Sequence, residues 1–348
     1  MAERITFEPE SEEAVLLLEA YIQSGNLNFL IGSGASLPAI SLAGNIESQL
    51  NDLLEAESIV EANLRALNFI EGLEDKNSRL SLGLEDAESG DTLGRYVQFL
   101  GTIDQLLFER KNILLPRQAN IFTTNYDLFF EHAAAQVPST ILNDGFDRSS
   151  PTGTQFPFSP ERYFDRTYRS GGVYNRQAEI TTVNLMKLHG SLNWRKTSNS
   201  ICFRSNEPEP LSEEQKRENA HVERALNNRA LILPNLKKFG STLLDRVYYD
   251  LLRIFSNSMD RDNALLIAFG FSFADEHILD ITRRALRNPT SQLVIFAYNG
   301  EAAESFEEKF TKHRNVKVVS PREGENIDFA AFNSLLNRVV PSRAAFDD

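Results

Sequence analysis

The 348-residue chain has one cysteine, Cys202. A single thiol excludes an intrachain disulfide framework and any zinc site built from several thiolates, so a reducing, cytoplasmic setting without a metal is expected. Long hydrophobic runs are also lacking. The apolar stretches near Val15 and Leu265 are too short to cross a bilayer, and Met1-Ala2-Glu3-Arg4 has no basic head leading into an apolar core. Positive charge is scarce: 36 Lys and Arg against 49 Asp and Glu give a net charge of −13, with no long basic run. That balance disfavours a generic binder of nucleic acid or of an anionic membrane. What is present is core material, since 41% of residues are hydrophobic and 24 are Phe. Such a chain can bury a large core.

Short apolar runs alternate with segments of helical period. Ser11-Glu12-Glu13 before Ala14-Val15-Leu16 predicts a helix stopped by Gly25. Strands are predicted at Asn28–Ile31, Asn120–Thr124, Val183–Leu188, Ala264–Phe269, Leu293–Tyr298 and Val316–Val319, with Ala230–Pro234 resuming the core. Residues 45–110 read as helical, with an exposed connection over 72–91. Residues 144–176 read as a long irregular flap and 196–229 as a surface excursion. Nearly continuous apolar strands between helices imply a parallel sheet covered on both faces: an α/β, Rossmann-like doubly wound plan with a helical insertion and no zinc module. The expected organisation is one domain over 1–341 and a tail over 342–348. Its core falls at about 12–40, 118–140, 180–195 and 230–341, and its insertions at about 41–117, 141–179 and 196–229.

The candidate site lies at the strand ends. Asn28-Phe29-Leu30-Ile31-Gly32-Ser33-Gly34-Ala35-Ser36 is an apolar run that breaks into a glycine-rich turn, whose backbone N–H groups could hold a pyrophosphate. The turn departs from the dehydrogenase fingerprint, because Leu37 stands at its third glycine. Asn125-Tyr126-Asp127, His189-Gly190, Gly270-Phe271-Ser272 and Asn299 likewise follow strands, where open α/β sheets bind ligands.

The order of these motifs resembles the sirtuin superfamily: Gly32-Ser33-Gly34-Ala35-Ser36, Thr123-Thr124-Asn125-Tyr126-Asp127, Leu188-His189-Gly190-Ser191, Gly270-Phe271-Ser272 and Tyr298-Asn299 match its motifs in sequence order. Three features depart from the deacylases of that family. The two Cys pairs of a zinc module are missing; the Pro-Asp-Phe-Arg segment that follows the glycine loop in deacylases is reduced to Leu37-Pro38-Ala39-Ile40, which leaves that part of the nicotinamide pocket unassigned; and Lys237-Lys238 falls where the acyl-lysine tunnel is apolar. With Gly270-Phe271-Ser272-Phe273-Ala274-Asp275-Glu276-His277-Ile278, these departures look more like the zinc-free, sirtuin-like NAD hydrolases of bacterial antiviral defence. The resemblance implies NAD+ as substrate, cleaved to nicotinamide and ADP-ribose in an abortive response to infection, with no metal.

On this reading Gly32, Ser33, Gly34, Ala35, Ser36, Thr124, Gly270, Ser272, Asp275 and Asn299 bind the dinucleotide, and Asn125, His189 and Asp127 are catalytic. The nicotinamide of NAD leaves as a neutral molecule, so no acid need protonate it and paired carboxylates are not required. An amide at Asn125 can donate and accept at once, which suits positioning a water or a ribose hydroxyl. His189 is the candidate base. Plainer roles stay open. Asn125 and Asp127 could cap the helix that begins near Leu128, and His189 could be a satisfied buried histidine. Gly270 to Ser272 could be a simple turn with Asp275 as a cap, and Asn299 could tolerate a left-handed turn before Gly300. The remaining histidines, His132, His221, His277 and His313, have no motif around them.

Two further functional classes are open, a protein deacylase and a non-catalytic NAD or ADP-ribose sensor. Retention of Asn125 and His189 speaks against the sensor, and Lys237 with Lys238 against the deacylase. An uncontrolled NAD hydrolase would harm its own cell, and no sensor domain of ordinary size follows residue 341. Control is therefore expected from homo-oligomer assembly or from a partner protein, such as an ATPase of the same defence system.

Overall fold

In the computed structural model of the chain, residues 2–7, 12–41, 43–110, 112, 114–150, 152–171, 177–205, 209–232 and 242–340 are described. The chain begins with β1 (Glu3–Thr6), α1 (Glu13–Ser24) and β2 (Asn26–Ile31), followed by a short 3-10 turn over Ser33–Ser36. Helices α2 (Ala43–Glu55), α3 (Ile59–Ser81) and α4 (Ala87–Phe108) lead to β3 (Gln118–Thr123), α5 (Phe129–Ala135) and β4 (Ile141–Asn143). The middle of the chain holds β5 (Gln155–Pro157), β6 (Tyr168–Ser170), β7 (Gln177–Glu179), β8 (Thr182–Lys187), β9 (Gly190–Lys196) and β10 (Ile201–Arg204). Then come α6 (Glu213–Lys216), α7 (Asn219–Asn228) and β11 (Arg229–Leu231). The last part alternates α8 (Thr242–Met259), β12 (Ala264–Phe269), α9 (Glu276–Ala285), β13 (Gln292–Phe296), α10 (Gly300–Lys309), β14 (Val316–Ser320) and α11 (Phe329–Val339).

Eight parallel strands form the main sheet in the order β1-β14-β13-β12-β2-β3-β8-β4. The chain winds from β2 outward through β3 and β8, then returns to the other side through β12, β13 and β14. This is the doubly wound, Rossmann-like plan. Alternate residues of each strand enter opposite cores. Phe29, Ile31 and Ile121 pack with Leu18 of α1, Phe99 and Ile103 of α4, Phe130 of α5 and Phe332 of α11. Leu30, Phe122 and Met186 pack on the other face with Leu251 and Phe255 of α8, Ile278 of α9 and Phe306 of α10. Burial on both faces explains why the central strands read as nearly continuous apolar runs.

One polar row crosses this interior. Asn28, Asn120, Asn184 and Asn143 stand opposite one another on β2, β3, β8 and β4. Their amides bond in series: Asn120 Nδ2 donates to Asn28 Oδ1 at 2.8 Å, Asn184 Nδ2 to Asn120 Oδ1 at 3.0 Å, and Asn143 Nδ2 to Asn184 Oδ1 at 2.9 Å. A slip of one residue would break every link, so the row pins the register of half the sheet. Asn120→Val is expected to lower unfolding free energy by about 1–3 kcal/mol, because it strands Asn28 Oδ1 and an Asn184 N–H in a buried layer. Urea unfolding checks this, and an unchanged midpoint would refute the register role.

Several segments differ from their sequence expectations. The connection over 72–91 shrinks to residues 82–86, because α3 continues through Gly72 and α4 already includes Gly90 and Asp91. A buried stripe of Ala66, Leu67, Ile70, Leu73 and Asn77 holds α3 together against the ~1 kcal/mol cost of a mid-helix glycine. Asp86 caps α4, accepting from Ser89 N at 2.8 Å. The flap over 144–176 contains strands among its described residues: β5 joins β11, β9 and β10 in a separate four-stranded antiparallel sheet, and β6 pairs with β7. Ala230, at the start of the run expected to resume the core, is buried with Leu30, Phe122 and Met186, although β11 pairs with β9 in that second sheet and not in the main one. β1 and β4 extend the main sheet at its two edges, outside the expected core segments. The segment Pro234–Gly240, with Lys237 and Lys238, lies outside the described residues. Among the described residues no helix is long and apolar enough to cross a membrane.

Candidate functional site

The winding reverses between β2 and β12, and the crevice beyond the carboxyl ends of such strands is where open α/β sheets bind ligands. Two glycine turns meet there. Gly32 N donates to Phe269 O at 3.0 Å and Gly34 N to Gly270 O at 3.1 Å. A Cβ on Gly32 would lie 2.3 Å from Gly270 O, and one on Gly34 2.8 Å from Gly270 Cα. Gly270 itself has φ +64°, a left-handed conformation. These glycines therefore let two backbone turns touch. The contact also changes the expectation for the loop amides: Gly32, Gly34 and Ala35 all donate to carbonyls of the protein, Ala35 to Gly32 O at 3.1 Å, and do not form an open cradle of N–H groups. Ser33 and Gly34 keep part of their surface open, while Ala35 and Ser36 are buried.

Asn125 leaves β3 two residues after Thr123, whose hydroxyl accepts from Asn125 N at 3.0 Å. Its side chain is 7% exposed and does not cap α5. Asn125 Nδ2 donates to Gly32 O and to Ser36 Oγ, each at 3.1 Å. Both amide hydrogens are thus engaged and the side chain is locked. Asn125 Oδ1 is buried without a hydrogen-bond partner among the described residues. An orphaned acceptor at a strand end is a place for a ligand hydroxyl or a water.

Beneath it, Ser36 Oγ donates to Asp127 Oδ2 at 2.8 Å and lies 2.8 Å from Tyr96 OH. Ser36 thus supports Asn125 from inside the protein. Asp127 is buried, and its Oδ1 accepts from Phe129 N at 3.4 Å, a weak local bond one residue outside the N-cap of α5, Leu128. Burial pushes the Asp127 and Glu131 carboxyls up, and the Lys187 ammonium pulls both back. Lys187 is 1% exposed; it pairs with Glu131 at 2.7 Å and donates to Ser191 Oγ at 2.9 Å and to the Asp127 carbonyl.

His189 follows β8 and is half-buried. Its Nε2 lies 3.0 Å from Asp275 Oδ2, and Asp275 also caps α9, accepting from His277 N and Ile278 N at 2.9 and 3.1 Å. Burial alone would raise the Asp275 carboxyl, but the His189 bond and the two amides outweigh it and hold the group below its ordinary value of 3.8. A depressed carboxyl stabilises the fold above its unfolded value, and that contribution disappears as pH falls through the lower folded value. Asp275→Asn should therefore destabilise the protein at pH 7 and lose that difference below about pH 4, as thermal melts across pH would show. A pH-independent difference would count against an ionised Asp275. Gly190, next to His189, has φ +87°, and a Cβ there would lie 2.0 Å from Ala230 O. This turn fixes where His189 leaves the sheet.

The other expected residues are less clearly placed for a ligand. Thr124 is half-buried after β3, and Ser272 is exposed, with its carbonyl accepting from Lys309 Nζ at 2.8 Å. Asn299 has extended backbone, φ −145°, and its Oδ1 caps α10 by accepting from Ala302 N at 2.9 Å, so the left-handed alternative does not apply. Sequence reading missed Tyr96, Lys187 and Tyr248, whose ring centroid lies 6.2 Å from that of His189. Tyr96 and Tyr248 carry only helical periodicity as a signal, which marks burial and not a site. Lys187 interrupts a strand run, which is a signal for a paired buried charge. His132 bonds Asn77 Oδ1 at 2.9 Å, a structural contact. Among the described residues no group of three or more His, Cys, Asp or Glu could hold a metal ion.

A doubly wound parallel sheet with Asn125, Asp127 and His189 following its strands defines a Rossmann-like α/β protein whose candidate ligand crevice lies at the carboxyl rim. The chain belongs to the SIR2-like domain family, whose description matches residues 119–319, more than half of its length. The match takes in Asn125, Asp127, His189, Gly270, Asp275 and Asn299, and starts after the glycine turn at Gly32. Membership implies an NAD-related function. No curated protein sequence matches the chain.

Proposed function

We propose that the chain is an NAD+ glycohydrolase, cleaving the bond between nicotinamide and ribose to give nicotinamide and ADP-ribose. The observation that carries this reading is the locked Asn125 amide whose Oδ1 is left as an acceptor without a partner among the described residues. A ribose hydroxyl or the attacking water can donate to that oxygen. The bond from ribose C1′ to the pyridinium nitrogen breaks with its electron pair going to nitrogen, which becomes neutral. The water oxygen bonds to C1′, and its proton passes to a base.

His189 suits that base. Asp275, held as a carboxylate, accepts from Nε2 and leaves Nδ1 to take the proton, and its charge then stabilises the imidazolium. Gly32, Ser33, Gly34, Thr124 and Ser272 are the proposed dinucleotide contacts, with Ser36 and Asp127 supporting Asn125. We place Asp275 and Asn299 as supports of His189 and of the α10 turn, not as direct ligands. Incubation with NAD+, with and without an acetyl-lysine peptide, tests the reading. Peptide-independent release of ADP-ribose is expected, and intact NAD+ under every assembly condition would reject it. A role in antiphage defence, controlled by self-assembly or by a partner such as an ATPase, is proposed on the family resemblance. A fully active monomer at micromolar concentration would remove the assembly element.

A further inference from the structure

A second concave feature lies away from the carboxyl rim. It is an open cleft of about 1040 Å³ around the beginnings of β13 and β14, where Gln292 opens one strand and Asn315 precedes the other. The proposed NAD site follows the opposite ends of β2, β12 and β13. The cleft is strongly basic in a chain of net charge −13: its walls carry Arg283, Arg287, Lys309, Lys312, Arg314 and Lys317 against one carboxylate, Glu308.

Three of these charges are used within the protein, Lys309 among them, whose Nζ donates to Ser272 O at 2.8 Å. Lys317 pairs with Glu3, and Arg283 gives Nε and Nη2 to the Lys309 carbonyl at 3.0 and 2.8 Å. The side chains of Arg287, Lys312 and Arg314 have no hydrogen-bond or ion-pair partner among the described residues, and His313 Nδ1, on the same wall, is buried without one. The floor is preformed, since Asn315 Nδ2 ties the turn before β14 to the carbonyls of Leu286, Asn288 and Ser291 at 2.7–3.1 Å. Converging cations on a rigid concave surface, within a molecule otherwise acidic, focus a local positive field and match the size of a compact ligand rather than a long polyanion.

We propose that this cleft binds a small polyphosphate anion of the nucleoside triphosphate class, held by Arg287, Lys312 and Arg314, and that Lys309 links its occupancy to the loop over residues 270–275. The link is direct: Lys309 Nζ donates to Ser272 O, and the same loop ends in Asp275, the partner of His189. An anion in the cleft competes for the Lys309 ammonium, which burial and the Arg283 charge already disfavour. Guanidinium groups suit phosphate oxygens because their N–H donors are paired and planar.

Isothermal titration of the full chain at physiological salt with ATP and, separately, with inorganic tripolyphosphate tests the site independently of NAD+ cleavage. Binding of ATP is expected, with Arg287→Glu/Arg314→Glu weakening it at least tenfold. Arg224→Glu, a reversal at an exposed arginine of α7, should leave it unchanged. Tighter binding of ATP than of tripolyphosphate assigns a contribution to the nucleoside; equal binding assigns recognition to the phosphates alone. Absent binding, or binding that survives the double variant, overturns the proposal. Amide hydrogen exchange over 270–275 should change on ATP binding, and an unchanged pattern in the ATP-bound protein overturns the link through Lys309.

Discussion

Asn125→Ala is expected to lower NAD+ cleavage by at least ~10²-fold while leaving the protein folded. Losing one preorganised group that acts on the reacting centre typically costs ~10²–10³ in rate. The side chain is suited to that role because no described residue uses Oδ1. Its two donors instead hold it between the Gly32 turn and Ser36, so the acceptor is fixed before any ligand arrives. Asn125→Asp separates position from chemistry: it keeps the shape but loses both donors to Gly32 O and Ser36 Oγ, and it brings a second carboxyl beside Asp127. It should be nearly as inactive as the alanine variant. His189→Ala is the companion measurement, with nicotinamide release followed for each. A parent-like rate in Asn125→Ala with a parent-like melting curve would remove this residue from the mechanism.

Glu74→Ala is expected to destabilise the protein by about 3–5 kcal/mol, the cost typical of breaking a buried ion pair from one side. Glu74 of α3 is 5% exposed and sits against two buried arginines. Arg229 meets it with both prongs, Nε to Oε1 at 2.9 Å and Nη2 to Oε2 at 2.6 Å, and Arg195 Nη2 lies 3.5 Å from Oε1. Arg195 and Arg229 are direct partners across β9 and β11, where like charges repel. One carboxylate therefore holds two cations together and fastens the helical insertion to the second sheet. Urea unfolding should show a large drop in midpoint, and a loss below about 1 kcal/mol would mean that the arginines find other partners or water. Because β9 starts beside His189, a loosened sheet should also weaken the site.

The parallel core was legible because burial on both faces leaves a local mark, an unbroken apolar run, and because polar residues then stand at each strand's end. Phe29 to Ile31, Ile121 to Phe122 and Leu265 to Phe269 behave so, whereas Lys187 breaks the run of β8 and is buried against Glu131. The edge strands were not legible. β4 is short and half-buried, and β1 is mostly exposed, so neither carries that mark. The same limit hid the asparagine row, since each Asn is an isolated polar residue in its own strand and acquires meaning only when the strands align.

The sequence by itself determined the α/β class, the placement of Asn125, Asp127 and His189 after strands, and the acidic balance that makes a basic cleft stand out. Tertiary structure decided what each polar residue touches. Tyr96 reaches Ser36 across 60 positions, and Asp275 reaches His189 across 86. It also turned the glycines of the opening loop toward Gly270 and its amides toward carbonyls of the protein. Periodicity and strand ends are local properties of a chain, whereas the partner of a side chain depends on which distant segments the sheet brings together, and no local pattern records that.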